Sequence, residues 1–355
     1  MEVLALTKYS QSGASSRLRT YQYINDLKQG GITLNISPLL SDKYVEDLQR
    51  GKKNYLEVLK GYIKRVFIVL FKRKVDFLWI EYEVFPWLPY FLENFLILRN
   101  KNYALDYDDA VFHSYDKSSS LLIRTLLGKK HNHLMRNSNF VSAGNEYLAS
   151  KAKDFGSEKV EIIPTVVDLK KYSNPSLKNK LENSRPMKVC WIGQRLTAKY
   201  LEPLNDLFSK LSQRGIAEFT CIGPDPEKLG LNMKFEPWSE SNEVELISKF
   251  DLGIMPLVDG YFERGKCGYK IIQYFACSLP VIASPVGVNS SIVDHKENGY
   301  LADSIEEWES FILELSNNPD LRIRMGKKGR MKVESCFSLQ ITSIELLRAF
   351  KSALS

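Results

Sequence analysis

Residues 263–289 read ERGKCGYKIIQYFACSLPVIASPVGVN. Gly265 and Gly268 sit among Lys266 and Lys270. A short apolar-periodic run follows, then Ser278-Leu279-Pro280, then VIAS, the pattern of a buried strand. A glycine-and-lysine cluster at a helix mouth has two readings. One is an anion site, because backbone amides at a helix start attract negative charge. The other is an ordinary strand-to-helix turn with a solvated face. On a helical wheel Lys266, Lys270 and Gln273 share a stripe opposite Ile271, Ile272 and Phe275, which either reading accommodates.

Outward from this stretch, strand-like and helix-like segments alternate to both ends. EVLALT, a helix candidate over 16–29, ITLNISPL, VDFLWIEY, NYALDYDD, SNFVSAG, a helix candidate over 145–154 and VEIIPTVVD form one series. MKVCWIG, AEFTCIG, FDLGIMPL and PVIASP form a second, and an amphipathic helix over 339–353 follows it. Between them, 169–186 is polar, contains Pro175, and has no apolar period, so it reads as a linker. The alternation predicts parallel α/β sheets in two domains, which suits a chain of 355 residues. The expected boundaries are 1–170, a linker at 171–186, 187–337, and a terminal helix at 338–355. A cleft between two such domains suits a nucleotide-type ligand, since open parallel sheets bind at the carboxyl ends of their strands.

Composition narrows the class. Apolar residues make up 44% and charged residues 26%, as in globular proteins with real cores. No uncharged apolar run approaches the ~20 residues of a spanning helix. Met1 runs straight into a strand, so no leader is expected. The five cysteines are odd in number and contain no CxxC pair, which disfavours disulfides and thiolate zinc sites and fits a reducing cytoplasm.

The net charge of +7 is uneven. Residues 50–74 hold nine Lys and Arg against Glu57 alone. Within them Leu56, Leu59, Ile63, Val66 and Leu70 recur at helical spacing, predicting an amphipathic helix with a basic face. Such a helix can lie on an anionic bilayer, gaining ~1 kcal/mol per Lys or Arg near the surface. It can equally be a core helix with a solvated face. No aromatic-basic motif argues for nucleic acid.

Three further stretches carry chemistry. In KYSQSGASSRLR, Gly13 and Ser15 turn into a helix bearing Arg17 and Arg19, an anion-binding arrangement or a plain βα turn capped by Ser16. In WIGQRLTAKYLEPL, Arg195 and Lys199 follow the first strand of the second series, where two cations can neutralise a diphosphate. In LDYDDAVFH, Asp106, Asp108, Asp109 and His113 lie just beyond a strand; they could bind a divalent metal, hold acceptor hydroxyls or take a proton, and Asp109 could simply cap the next helix. GxSxG, Walker A, HExxH and GxGxxG motifs are absent, so serine hydrolase, P-loop kinase, zincin and dinucleotide dehydrogenase readings lose support.

GYKIIQYFACSLPVIASPVGVN resembles the donor-site signature of the retaining glycosyltransferases of family 4, whose fold is called GT-B. KYSQSGASSRLR, LDYDDAVF, AGNEYLA, IPTVVDLKKY, WIGQRLTAKYLE and ADSIEEWESFILEL fall where bacterial surface-polysaccharide members place similar segments. The resemblance implies two Rossmann-like domains facing a central cleft, with the C-terminal helix crossing back to the N-terminal domain. It implies a nucleotide-sugar donor, UDP-linked by preference, on the C-terminal domain and a lipid-linked glycan acceptor on the N-terminal one. Retention in this family is thought to run by front-face attack, with the donor's own phosphate oxygen taking the acceptor proton and no metal or other cofactor involved.

The residues expected at the donor are Gly13, Arg195, Lys199, Gly265, Lys266, Gly268, Lys270 and Gln273. Those expected at the acceptor are Ser15, Arg17 and Asp106, and those expected in catalysis are Asp108, Asp109 and His113. The resemblance also implies O-antigen, capsule or exopolysaccharide synthesis, with the chain peripheral on the inner face of the cytoplasmic membrane through 50–74. The family usually carries two glutamates eight residues apart where this chain has Gly265 and Gln273. Two other readings therefore stand beside transfer: a nucleotide-sugar 2-epimerase of the same fold, and a non-catalytic sugar-nucleotide-binding subunit of a glycan assembly complex.

Overall fold

A computed structural model describes residues 1–71, 75–95, 102–172 and 186–354. Among them two six-stranded sheets form, every neighbouring pair of strands parallel. The chain divides into two units. The first takes Met1–Thr165, the short strap Arg264–Cys267 and the terminal Leu339–Ser355. The second takes Val166–Glu263 and Gly268–Ser338.

The first unit contains β1 (Glu2–Tyr9), β2 (Thr33–Leu40), β3 (Phe77–Glu81), β4 (Tyr103–Tyr107), β5 (Phe140–Ala143) and β6 (Val160–Ile162), in the spatial order β2-β1-β3-β4-β5-β6. All five residues of β3 and of β4 are buried, as expected of inner parallel strands covered on both faces. Its helices are α1 (Ala14–Arg19), α2 (Ile24–Gln29), α3 (Asp42–Gln49), α4 (Tyr55–Phe71), α5 (Tyr90–Glu93), α6 (His113–Asp116), α7 (Leu121–Leu127), α8 (Lys130–Arg136) and α9 (Glu146–Asp154). The terminal helix Leu339–Leu354 joins this unit's core, where Phe350 packs edge-on against Phe77 and Trp79.

The second unit contains β7 (Met187–Ile192), β8 (Ala217–Ile222), β9 (Lys234–Glu236), β10 (Leu252–Met255), β11 (Val281–Ala283) and β12 (Gly299–Leu301), ordered β12-β11-β10-β7-β8-β9. Its helices are α10 (Asn205–Gln213), α11 (Glu243–Ser248), α12 (Tyr269–Ala276), α13 (Asn289–Ile292), α14 (Ile305–Asn317) and α15 (Pro319–Cys336). In each sheet the strand order reverses beside the first strand, between β1 and β3 and between β7 and β10. Such switch points open a crevice at the strands' carboxyl ends.

The α/β alternation predicts these sheets, and the structure differs from it in two places. The helix expected over 16–29 is broken into α1, a 3-10 turn at Tyr21–Tyr23 and α2. The three-residue edge strands β9 and β12 were not expected, because so short a run has no readable period. Residues 173–185 of the expected linker lie outside the described residues.

The amphipathic helix expected within 50–74 is α4. Its predicted apolar stripe, Leu56, Leu59, Ile63, Val66 and Leu70, is exposed rather than turned to the core. The helix packs through its other side. A Cβ on Gly61 would sit 1.9 Å from the Leu39 carbonyl oxygen, so the backbones touch there. Arg65 is buried and donates to the carbonyls of Thr7, Ser37 and Val84, which ties α4 to β1, β2 and the segment after β3. Arg65 therefore leaves the basic face expected for 50–74, and Lys72, Arg73 and Lys74 lie outside the described residues.

Candidate functional site

At the carboxyl ends of β1, β3, β4 and β5, the first unit gathers a polar cluster. Gly13 precedes α1, and a Cβ there would lie 2.3 Å from that of Tyr9, so only glycine lets the β1–α1 turn close. That turn presents Ser15, which donates to Asp108 Oδ2 at 2.7 Å. The Tyr82 hydroxyl donates to the other oxygen of Asp108. Tyr82 holds φ at +64°, a strained conformation for a bulky residue and one that concentrates at functional sites. Ser16 is not the helix cap; its hydroxyl donates to Glu81 Oε2 at 2.6 Å.

Glu81 closes β3 and is buried. Its Oε2 also accepts from the Lys8 amide at 3.0 Å, and its Oε1 has no hydrogen-bond partner among the described residues. Burial, with Asp108 adding, pushes its carboxyl up to about 7. Asp109 is half-buried, 3.6 Å from Lys266 Nζ. Burial raises Asp109 to about 6 and Asp108 adds to the shift, while Lys266 pulls the other way. Asp108, Asp109 and buried Glu81 thus form a carboxylate cluster at the strand ends, suited to pairing with hydroxyl groups.

The strap Arg264–Cys267 is stitched to this cluster. Asn145 caps α9 through the Leu148 amide at 2.9 Å, and its Nδ2 donates to the carbonyls of Gly265 at 2.9 Å and Lys266 at 3.0 Å. The Cys267 thiol donates to the Asp108 carbonyl at 3.1 Å. Gly265 is buried against Ala110, and a Cβ at 265 would lie 2.5 Å from the Ala110 Cβ and 2.8 Å from its backbone nitrogen. The glutamate that the resemblance would place at 265 therefore has no room here: its side chain would begin where Ala110 lies.

Two expected members of the cluster are committed elsewhere. Asp106 is buried in a bidentate pair with Arg19, at 2.8 Å from Nε and 2.7 Å from Nη2. Arg19 also donates to the Ile163 carbonyl and to Ser142. Burial opposes the Arg19 charge, but Asp106 more than reverses that and holds the guanidinium above its ordinary value. Asp106 thus belongs to the scaffold beneath the cluster, not to an acceptor surface. His113 has Nδ1 at 2.8 Å from Asp116 and Nε2 at 2.8 Å from the Tyr147 hydroxyl. Both ring nitrogens are occupied, so His113 ties α6 to α9. Arg17 lies partly exposed on α1.

The second unit places cations at its own switch point. β7 runs out at Gly193, where a Cβ would meet the Trp191 ring at 2.4 Å and Lys270 Cε at 3.0 Å. Lys270 Nζ sits 5.4 Å from the Trp191 ring centroid. Gln194 and Thr197 form a reciprocal cap on the 3-10 helix Arg195–Leu204. Arg195 and Lys199 on that helix are exposed, and among the described residues neither has a carboxylate partner. The Tyr274 hydroxyl accepts from the Ile192 amide at 3.0 Å and donates to the Ile254 carbonyl at 3.3 Å, so α12 is pinned across β7 and β10.

Gly268 begins α12 with φ at +63°, and a Cβ there would meet Ile292 Cδ1 at 2.5 Å; glycine is required on both counts. Because α12 starts at Tyr269, Lys266 is not on the helix and does not share the expected stripe with Lys270. Gln273 is buried at 3% exposure instead of lining a polar face.

Residues 186–318 match the family model for glycosyl transferases group 1. The matched segment, a little over a third of the chain, holds Arg195, Lys199, Lys270 and Gln273. The solved structure of Anabaena HepE in complex with UDP-glucose is 14% identical with a TM-score of 0.70, covering 99% of this chain and all (100%) of that one. The lipopolysaccharide outer core galactosyltransferase WaaB is 11% identical with a TM-score of 0.64, covering 99% of each chain. The architecture is thus the two-domain GT-B fold. A Dictyostelium discoideum GDP-Man:Man(3)GlcNAc(2)-PP-Dol alpha-1,2-mannosyltransferase is 24% identical over 188 residues, 53% of this chain. The match spans about a third of that relative, 33% of its length.

Glu81, Tyr82, Asn145 and Cys267 are absent from the sequence-based expectation. Glu81 left a trace, as a carboxylate ending the apolar run FLWI. Asn145 stands in AGNEYLA, but its part depends on the distant strap.

Proposed function

We propose that the chain is a glycosyltransferase moving a sugar, with retention, from a nucleotide-sugar donor to a lipid-linked glycan at the inner face of the cytoplasmic membrane, in surface-polysaccharide synthesis. One observation carries the reading: in the matched segment, Arg195 and Lys199 stand exposed, without carboxylate partners among the described residues, where the central strand ends. Such a pair suits a diphosphate, and neutralising it supports the leaving group without a metal. Lys270 and the α12 amino end add to the cradle. UDP is favoured as the nucleotide because HepE was solved with UDP-glucose. Ser15, Asp108 and Asp109 are the groups proposed to hold acceptor hydroxyls, with Glu81 behind them. The outer-core activity in WaaB's name supports a surface-glycan pathway.

The test is thermal unfolding of the full chain against a panel of nucleotide sugars, since a ligand that binds the folded state raises the midpoint by mass action. The stabilising donor is then incubated with lipid-linked and soluble glycans and the products are resolved by mass. Lys199→Ala is expected to weaken the donor about 10- to 100-fold, the weight of a charge-assisted hydrogen bond. Donor conversion without acceptor would indicate an epimerase, and binding without turnover a non-catalytic subunit. Full activity in Lys199→Ala would remove the diphosphate role.

A further inference from the structure

We infer that the cavity between Lys8, Arg65 and Glu81 receives a hydroxymethyl group of the acceptor, which makes the acceptor a neutral sugar with a free primary hydroxyl. The inference rests on the proposed transferase reading and names the acceptor class that the same carboxylate cluster would take.

The cavity measures ≈ 20 Å³ and lies wholly within the first unit. Lys8 of β1, Arg65 of α4, Glu81 at the end of β3, Tyr82, Glu83 and Val111 are among its walls. Two of these residues bring unmet polar atoms. Glu81 is 3% exposed and Arg65 1%, and among the described residues neither Glu81 Oε1 nor Arg65 Nε has a hydrogen-bond partner. A buried polar atom left unpaired costs about 1–3 kcal/mol. Lys8 adds a third group. Its Nζ lies 5.3 Å from the ring centroid of Tyr9 and 5.7 Å from that of Tyr82, and among the described residues it forms no ion pair.

The rest of the polar wall is already committed. Glu83 accepts from the Tyr115 hydroxyl at 2.8 Å and pairs with Lys130 at 2.6 Å. The two Nη atoms of Arg65 donate to backbone carbonyls. The Tyr82 hydroxyl donates to Asp108. What is left is a pair of donor groups, Lys8 and Arg65, and one acceptor, Glu81 Oε1. A hydroxyl both donates and accepts, so it satisfies this set. A carboxylate would set a second negative charge beside Glu81, whose own ionisation burial already opposes.

Size makes the same choice. One water-sized group takes about 10–15 Å³. The cavity therefore holds a single hydroxyl and excludes a carboxylate or an acetamido group. It is mostly enclosed, so the hydroxyl has to reach in on an arm. A hydroxymethyl carbon supplies that arm, whereas a ring hydroxyl is held close to its ring. Position favours a sugar over a lone water. Tyr82 is shared between the cavity and Asp108, and Asp108 also receives Ser15, so a sugar resting on these groups has the cavity beside it.

The experiment titrates the full chain with the methyl glycosides of glucose, galactose and mannose, each paired with its 6-deoxy and uronic acid counterparts, and reads binding by ligand-observed NMR. At least one parent glycoside is expected to bind. Its 6-deoxy form should bind about 10- to 100-fold more weakly, the weight of a hydrogen bond to a charged group. Its uronic acid should bind no better than the 6-deoxy form. Lys8→Met and Glu81→Leu should each bring the parent and the 6-deoxy form to within a few-fold of one another. Glu81→Gln should keep most of the preference, because either end of the amide can bond a hydroxyl. Val111→Leu, which adds bulk to the cavity wall, should remove the preference without touching a charge.

Equal binding of parent and 6-deoxy glycosides by the natural chain would overturn the inference and leave a water pocket. So would a preference that survives Lys8→Met, Glu81→Leu and Val111→Leu, tighter binding of the uronic acid, or a chain that binds none of the glycosides. The donor-induced thermal shift is read on the same proteins. A lost preference in the natural chain with the shift intact refutes only this inference. A missing shift with the preference intact refutes only the transferase reading.

Discussion

Placing a glutamate at position 265, as the resemblance would have it, tests whether Gly265 is a lost function or a packing requirement. In Gly265→Glu the new Cβ begins 2.5 Å from the Ala110 Cβ and 2.8 Å from its backbone nitrogen. Carbon atoms prefer ~3.5–4.0 Å, so the strap must retreat by about 1 Å. The obstacle is partly backbone and cannot rotate away. Overpacking of this kind costs about 1–3 kcal/mol before the carboxylate is considered. The retreat also loosens the Asn145 bond to the Gly265 carbonyl, 2.9 Å long, for about 0.5–1.5 kcal/mol more.

Together these give about 1.5–4.5 kcal/mol. At ~2–4 °C per kcal/mol, the first unit's unfolding midpoint falls by about 3–18 °C. Scanning fluorimetry with and without the stabilising nucleotide sugar, run beside initial rates of transfer, reads both quantities. The expected outcome is a lower midpoint and no gain in rate. Gly265→Ala should reproduce most of the thermal loss, because the Cβ makes the clash. A Gly265→Glu protein that unfolds like the natural chain and transfers faster would refute the packing account and show that a side chain has room at the strap.

Glu81→Gln should flatten the pH dependence of stability. The natural carboxyl titrates near 7 when folded, against an ordinary value of 4.5. The folded state then binds more protons across pH 4.5–7, so this stability is full below 4.5 and lost as pH rises through 7, by ~3 kcal/mol at most. Denaturant titrations at pH 5 and pH 8 should show the difference in the natural chain and not in the variant. Arg19→Met strands Asp106 as a buried unpaired carboxylate and should cost about 3–5 kcal/mol by the same titration. Adding Asp106→Leu should recover part of that loss. Asp109, near 6 in the donor-free chain, should appear as a limb in kcat/KM that rises through about pH 6 if its carboxylate accepts an acceptor hydroxyl. Asp109→Asn should remove that limb.

The two α/β series, the cationic turn after β7 and the glycine that opens α12 were legible in the chain because each is local. Strand runs and helical periods repeat every few residues, and Gly268 declares a backbone state that other residues resist. The group 1 signature lies within one continuous stretch for the same reason.

Tertiary structure decided which polar residues were available. Asp106 and Asp108 are two positions apart in LDYDD, yet one is consumed by Arg19, 87 residues away in sequence, and the other meets Ser15, 93 away. Spacing cannot report such partners, since they are chosen by strand order. The direction of α4 was equally hidden. A helical period states that one side is apolar but not which way it faces, and a glycine against a carbonyl with one buried arginine turned that side outward. Local sequence sets conformation through short-range sterics, whereas burial and pairing depend on what the rest of the chain brings alongside.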